Sequence, residues 1–440
     1  MSTGTCPGVE TTPIRPLVET TFARNAFCAV AWEAIWALGV PFCTIWTIVP
    51  AYLFYLDLPK TVVQLIMIGF SLTAGFQLFS TRLFHGPRRR LWLTINWMLF
   101  SACWVVYGLL ARMGWNGLPR SFMTTCFVLT CIGLAVTMHL GIPAYAEMLV
   151  ANIPLRKRGR LTAFRNLALG TFGLLGVLAA THCMRYFPEP HNFHYAMLIG
   201  GSIMLVSCTT LLGWKDHDAC QSTPASSLRS PWSLARQLAG NMNFRVFLVF
   251  HMLLLTAQSL APLLIGYGRD ILDLPSSRIT HFTAAYFFGP ILSGLCLAPL
   301  ADRYGFRLIG ILSATAMSTA FLLPILFWNT LPAVLIAYLL YAATATLNTI
   351  LVGNLGAELV PDVKPGMMVA IGNVLATPLG LLLAPMAGAL VDHFGSSGYV
   401  GVFAAGITMS VIAILGYSLL VREPRTGQEI HVRIRAFPIR

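Results

Sequence analysis

Glu33 is the residue that most needs a chemical explanation. It sits between Trp32 and Trp36 in "AVAWEAIWALGVPF", residues 29–42, a run that otherwise offers a charge nothing. A carboxylate at the centre of a membrane helix costs about 2.5–3.5 kcal/mol on insertion scales, so such acids ordinarily face a cavity and mark function. Glu33 lies beyond Arg24 by roughly 14 Å of helical rise. At 100° per residue Val40, Thr44, Thr47 and Tyr55 project within about 40° of it, a mildly polar stripe that Pro41 and Pro50 bend. Glu33 is expected to face a central cavity and to gain and lose a proton there. The competing role is a buried packing group bonded to one neighbouring helix.

A few other polar side chains fall in equally apolar surroundings. His251 and Gln258 stand seven apart, as do Tyr341 and Asn348, so each pair shares a helix face. His139 and His251 are of a type that can carry a proton near physiological pH, although a lone histidine in a helix is more often a structural hydrogen-bonder. Asn373 and Thr377 are weaker members of the set.

The elements that must position these groups are membrane helices. The chain is 56% hydrophobic and 10% charged, against about 45–50% and 25% for a soluble domain. Apolar runs of about 20 residues, the length that crosses the hydrocarbon core, recur twelve times. They lie near 24–54, 61–83, 91–112, 120–150, 162–182, 194–213, 244–268, 280–301, 307–328, 331–356, 366–391 and 399–421. The first 21 residues hold no apolar core of signal-peptide length. Most of the ten cysteines fall within spans without a CxxC pair and read as packing residues.

The net charge of +13 is an orientation signal. With the N-terminus inside, all 29 Lys and Arg except Lys60, Arg112, Arg120, Arg185, Arg269 and Arg278 fall on the inner side. Both termini are therefore expected in the cytoplasm, with the chain in the plasma (cytoplasmic, or inner) membrane and no role for nucleic acid. The hydrophilic stretch 213–245 divides the spans six and six. The expected organisation is a tail at 1–21, a six-helix bundle at 22–213, a linker at 214–243, a second bundle at 244–421 and a tail at 422–440.

The halves repeat. "LDLP" recurs at Leu56–Pro59 and Leu272–Pro275, "AEMLV" from Ala146 matches "AELV" from Ala357, and Asn166 matches Asn373. Three matches in order imply duplication, the architecture of transporters that rock around a central site. After the eighth span comes "LAPLADRYGFR", residues 297–307. It resembles the loop signature of the major facilitator superfamily, Gly-x-Leu-Ala-Asp-Arg-x-Gly-Arg-Lys, with Leu300, Ala301, Asp302, Arg303 and Gly305 in order. Ala298 replaces the first glycine, and Phe306 replaces an arginine, with Arg307 following. The first-half copy, "FSTRLFHGPRRR", keeps Gly86 and the run Arg88–Arg90 but has Leu83 where the aspartate belongs.

That resemblance implies an all-α polytopic membrane protein of twelve transmembrane helices in two pseudo-symmetric six-helix bundles. It also implies that the first, fourth, seventh and tenth spans line the cavity. Thr44, Thr47, His139, His251, Gln258, Tyr341 and Asn348 lie on those spans and, with Asn373, are the substrate-binding candidates. Asp302, Arg303, Gly305 and Arg307, with Gly86, Arg88 and Arg89, are expected to latch a cytoplasmic gate. Glu147 and Glu358 close the fourth and tenth spans at repeat-related positions, and Arg165 is expected to pair with Glu147 in that gate.

Other chemistries lack their motifs: there is no GxxxxGK[ST], HExxH or GxSxG. No enzyme and no cofactor is expected. His182, Cys183 and Met184, in the run "THCMRYFPEPHNFH" at 181–194, are weak candidates for copper or zinc. No arginine reads as deep in a span, which leans away from phosphorylated solutes. The expectation is a monomeric secondary transporter that moves a small solute across the bilayer by alternating access, coupled to protons. An uncoupled facilitator and a copper-delivery protein on the same scaffold are the alternatives.

Overall fold

The computed structural model describes residues 14–423 apart from 85–87, 154, 216–235, 237, 239, 294–299, 301–303 and 360–364. Among the described residues there are helices and turns and no strand. Among those residues eleven segments are long and apolar enough to cross a membrane. The eighth span is represented by the 14-residue helix Ile279–Leu292, since most of its continuation lies outside the described residues.

The first span of each half is broken in the same way. Helix α1 (Ile14–Gly39) stops ahead of Pro41, whose missing N–H cannot continue the ladder. A 3₁₀ turn, Val40–Phe42, and an unwound stretch precede α2 (Ile48–Tyr55). In the second half α9 (Met242–Ser259) ends three residues before Pro262, which opens α10 (Pro262–Asp270). Both short helices run into "LDLP", and Asp57 and Asp273 take the same left-handed conformation there, at φ 57° and 48°. Aspartate tolerates that region better than most residues. The sequence duplication thus carries a shared backbone turn.

The second span is divided too, into α3 (Lys60–Leu72), a 3₁₀ turn at Thr73–Phe76 and α4 (Gln77–Leu83). The first half continues with α5 (Arg89–Gly114), α6 (Arg120–Asn152), α7 (Leu155–Tyr186) and α8 (His191–Leu211). The second half continues with α11 (Ile279–Leu292), α12 (Phe306–Leu326), α13 (Leu331–Leu359), α14 (Pro365–Phe394) and α15 (Ser396–Leu419). Within the first half α1 packs on α7 and α8, and α5 on α6 and α8; within the second, α12 packs on α13 and α15, and α9 on α14 and α15. The halves meet chiefly where α3 lies along α14 and α7 along α11. One end of the assembly carries the linker between halves; the other, the far end, carries both "LDLP" turns.

Candidate functional site

Glu33 is paired. Arg165 of α7 donates from Nε to Glu33 Oε1 at 2.9 Å, and its Nη2 reaches the same oxygen. The two side chains are 18% and 11% exposed, so the pair is buried yet still touches open space. Helices α1 and α7 rise together from the linker end, and Gly176 is what lets them touch: a Cβ there would lie 2.5 Å from the Leu38 carbonyl oxygen. That contact fixes the level of Arg165 relative to Glu33. Arg165 starts a few residues lower, level with the turn before Glu33, so the two side chains reach toward each other along the axis. An arginine near a span end ordinarily snorkels toward water; here it is drawn inward.

The walls of this pocket are aromatic. The Arg165 guanidinium carbon stands 5.4 Å from the Tyr145 ring centre, a cation–π contact from α6. Tyr145 packs on Trp32 at 4.5 Å, and Trp36 meets Trp97 and Phe100 of α5 at 5.2 and 5.3 Å. The tryptophans flanking Glu33 therefore anchor α1 to α5 and α6, and Glu33 itself turns to α7. The expected Arg165–Glu147 gate pair is corrected: Arg165 is committed to α1, which stands closer to its inward-reaching side chain. Glu147 is half-buried near the linker end of α6, and the side chain of Glu358 lies outside the described residues.

The second-half candidates form a smaller network. Asn348 on α13 donates from Nδ2 to Gln258 Oε1 at 2.9 Å and accepts from Ser313 of α12 at 3.0 Å. Gln258 and Asn348 meet across two helices, a contact that spacing within each helix did not give, and Ser313 is a further partner that the sequence did not point to. His251 is fully buried, stacked on Phe247 at 5.5 Å, and neither ring nitrogen has a hydrogen-bond partner. Asn373 is half-buried on α14, its carbonyl accepting from Thr377 at 2.7 Å. Tyr341 is buried beside Tyr286 and Tyr338. His139 serves the break in the second span: its Nδ1 lies 2.8 Å from Thr73 Oγ1 and 2.9 Å from the Ala135 carbonyl.

Thr44 is buried in the unwound stretch of the first span, and Thr47 crosses to the other half with a 2.7 Å bond to Thr283. The Tyr338 hydroxyl crosses the same way to the Trp46 carbonyl. Toward the far end these crossings become ionic. Arg269 pairs with Asp57 at 3.2 Å and Lys60 with Asp270 at 2.9 Å. Asp392 of α14 caps α3, accepting from the Lys60 and Thr61 amides at 2.8 and 2.9 Å and from the Thr61 hydroxyl at 2.7 Å. A cavity of about 320 Å³ opens among these groups, lined in part by Tyr55, Asp57, Arg120, Arg269 and Asp273. Hydrogen bonds and ion pairs between the halves thus run from Trp46 to this end, and they latch the two halves together there.

The linker-end gate candidates are only partly visible. Asp302, Arg303 and Gly86 lie outside the described residues. Arg88 is exposed at a turn and Arg89 opens α5. Gly305 precedes α12 at φ 89°, a conformation suited to glycine, and the amide of Arg307 donates to Glu423 Oε2 at 2.7 Å. Glu423, just past the last span, is a partner that the motif alone did not reveal. The metal candidates His182, Cys183 and Met184 are consecutive on the last turns of α7, so their side chains diverge; His182 stacks near Tyr186 while Cys183 and Met184 are buried. No cluster of three or more His, Cys, Asp or Glu suited to a metal ion occurs among the described residues.

Residues 246–436 match the sequence model of the Major Facilitator Superfamily. No curated protein matches the chain. Among solved structures, a mutant form of the nucleoside transporter NupG is similar at 14% identity over 90% of this chain and 100% of that one, TM-score 0.65. A POT family transporter in complex with 5-aminolevulinic acid is 12% identical over 95% and 98%, TM-score 0.64. The D-xylose-proton symporter is 14% identical over 93% and 99%, TM-score 0.61. The chain is thus a multi-pass helical membrane protein that shares the fold of these transporters over its whole length and is similar to the Major Facilitator Superfamily in sequence along its second half.

Proposed function

We propose that the protein moves a small solute by alternating access and couples that movement to protons, with Glu33 as the proton carrier and Arg165 as its counter-ion. The observation that carries this reading is the buried Glu33–Arg165 pair joining α1 to α7. A charge that is buried and paired can be switched by one proton, because protonation removes the attraction holding its partner. Neutral Glu33 lets the Arg165 guanidinium relax toward the linker end, and the α1–α7 contact loses its electrostatic tie. The far-end latch of Asp57, Arg269, Lys60, Asp270 and Asp392 is the other switch point. A neighbour in fold is a proton symporter, which agrees with this reading.

In this reading the linker end faces the cytoplasm, which the lysine and arginine asymmetry supports, and the protein works as a monomer in the plasma membrane. Gln258 and Asn348 face the solute from the second half, while His139 positions the second-span break. A facilitator without coupling is favoured by one feature: a pair so well enclosed by Tyr145 and Trp32 can also serve purely as a structural brace.

The test is a proteoliposome assay with an internal pH dye and pooled solutes, comparing wild type with Glu33→Gln. One pool is expected to dissipate an imposed pH gradient with wild type and to leave it intact with the variant. Proton movement that survives Glu33→Gln removes the coupling role. Solute equilibration without proton movement in either protein makes the chain a facilitator.

A further inference from the structure

We infer that the transported solute is a small organic anion whose carboxylate takes the place of Glu33 on Arg165, while Glu33 takes up the accompanying proton. This rests on the proton-coupled reading above and names its substrate class.

The geometry of the pair carries the inference. Nε and Nη2 of Arg165 converge on one oxygen, Oε1, of Glu33. A guanidinium matches a carboxylate best when two N–H groups meet two oxygens in parallel, and a free solute can present both where Glu33, held on its helix, presents one. Arg165 is also a reaching side chain, drawn along the axis from its own level to that of Glu33. It has the length to follow a solute between those levels.

Charge balance sets the rest. The resting pair is neutral. Adding a monoanion to Arg165 leaves Glu33 as an unpaired buried charge, which a membrane protein relieves by neutralising it. The step balances as solute carboxylate plus proton in, giving an Arg165–carboxylate pair and a protonated Glu33 with no net charge moved. The charged and titratable groups facing Glu33 are Arg165 from α7 and Tyr145 from α6, with Cys208 of α8 beside Trp32. Among these groups Arg165 is the one cation, and so the anion's partner. The pair keeps some exposure, so a solute can approach it.

The experiment uses wild-type protein in proteoliposomes, a pH gradient, and labelled hydrophilic hydroxy- and keto-carboxylates beside their neutral amides. Carboxylates are expected to accumulate at least 100-fold faster than matched amides, at a rate that a clamped membrane potential leaves unchanged. Arg165→Lys, which keeps the charge and loses the fork, is expected to raise KM at least ten-fold. Glu33→Gln no longer competes for Arg165 and is expected to bind carboxylates several-fold more tightly while losing its response to the pH gradient. A double Glu33→Gln/Arg165→Gln variant keeps the pocket uncharged, and its folded yield separates loss of the site from loss of fold. Proton-driven uptake of the neutral solutes in place of carboxylates overturns the anion inference and leaves proton coupling standing. Carboxylate exchange that ignores both the gradient and Glu33→Gln overturns the coupling instead.

Discussion

Arg165→Leu is expected to destabilise the protein more than any other single change near the site. Removing one partner of a buried ion pair strands the other charge, at a cost of about 3–5 kcal/mol. Glu33 can escape part of that cost by taking a proton, so the lower end of the range applies at neutral pH and the loss shrinks as pH falls. The expected readout is a Tm lowered by several degrees in detergent and loss of solute flux. Glu33→Gln/Arg165→Leu is expected to recover most of the lost Tm, because no unpaired charge remains. A double-mutant cycle isolates the pair itself, since the two residues are in direct contact. If Arg165→Leu alone leaves the Tm unchanged, the pair contributes nothing to the fold and Arg165 is a spectator.

The second large effect belongs to Gly388. A Cβ at that position would lie 2.6 Å from the Lys60 carbonyl oxygen and equally close to the Thr61 backbone. Those are main-chain atoms, which cannot rotate away. Gly388→Leu therefore forces α14 away from α3 one turn from Asp392, and the cap on Lys60 and Thr61 is lost with it. The clash lies between halves, so each half is expected to fold normally while the far end stays open. A shift of at least 100-fold in the closed–open ratio follows, about 2.7 kcal/mol. Spin labels at the exposed far-end positions Asn116 and Ser397 are expected to report a longer distance in the variant than in wild type, with helical content unchanged. Transport is expected to fall, because that end must close in the alternating-access cycle proposed above. Equal distances in both proteins would show that α3 and α14 do not form the latch.

The sequence was most informative where chemistry is local. Length and apolarity are enough to place membrane spans, and the "LDLP" repeat marked a duplication that reappears as matching left-handed turns at Asp57 and Asp273. Pro41 announced a bend, and the structure turns it into a full break because Gly39 ends the helix before it. Gln258 and Asn348 were legible from spacing within their own helices. Their mutual bond was not, because which helix faces which is decided by packing between spans.

Arg165 is the instructive miss. It follows the basic run Arg156–Arg160, so by sequence it is one more inner-side charge. What commits it to Glu33 is the level of α7 against α1, set by a close backbone approach at Gly176, and an upward-reaching side chain. Neither leaves a signature in composition or periodicity. Glu423 was hidden for a similar reason: it belongs to a tail whose contact with the start of α12 is long-range. His139 read more readily as a structural hydrogen-bonder than as a ligand, and its contact with Thr73 in the broken second span, which no spacing announced, agrees with that role.

The central claim is that Glu33 gains and loses the transported proton. It is tested most directly by infrared difference spectra of the protein in lipid vesicles as pH is lowered, wild type against Glu33→Gln. Surface carboxylates contribute equally to both proteins and cancel. The account predicts a carboxylic-acid carbonyl band from a buried group in wild type that is missing from the variant, and that shifts in Arg165→Lys because its nearest charge has changed. Identical spectra from wild type and Glu33→Gln would contradict it and leave the pair as a structural brace.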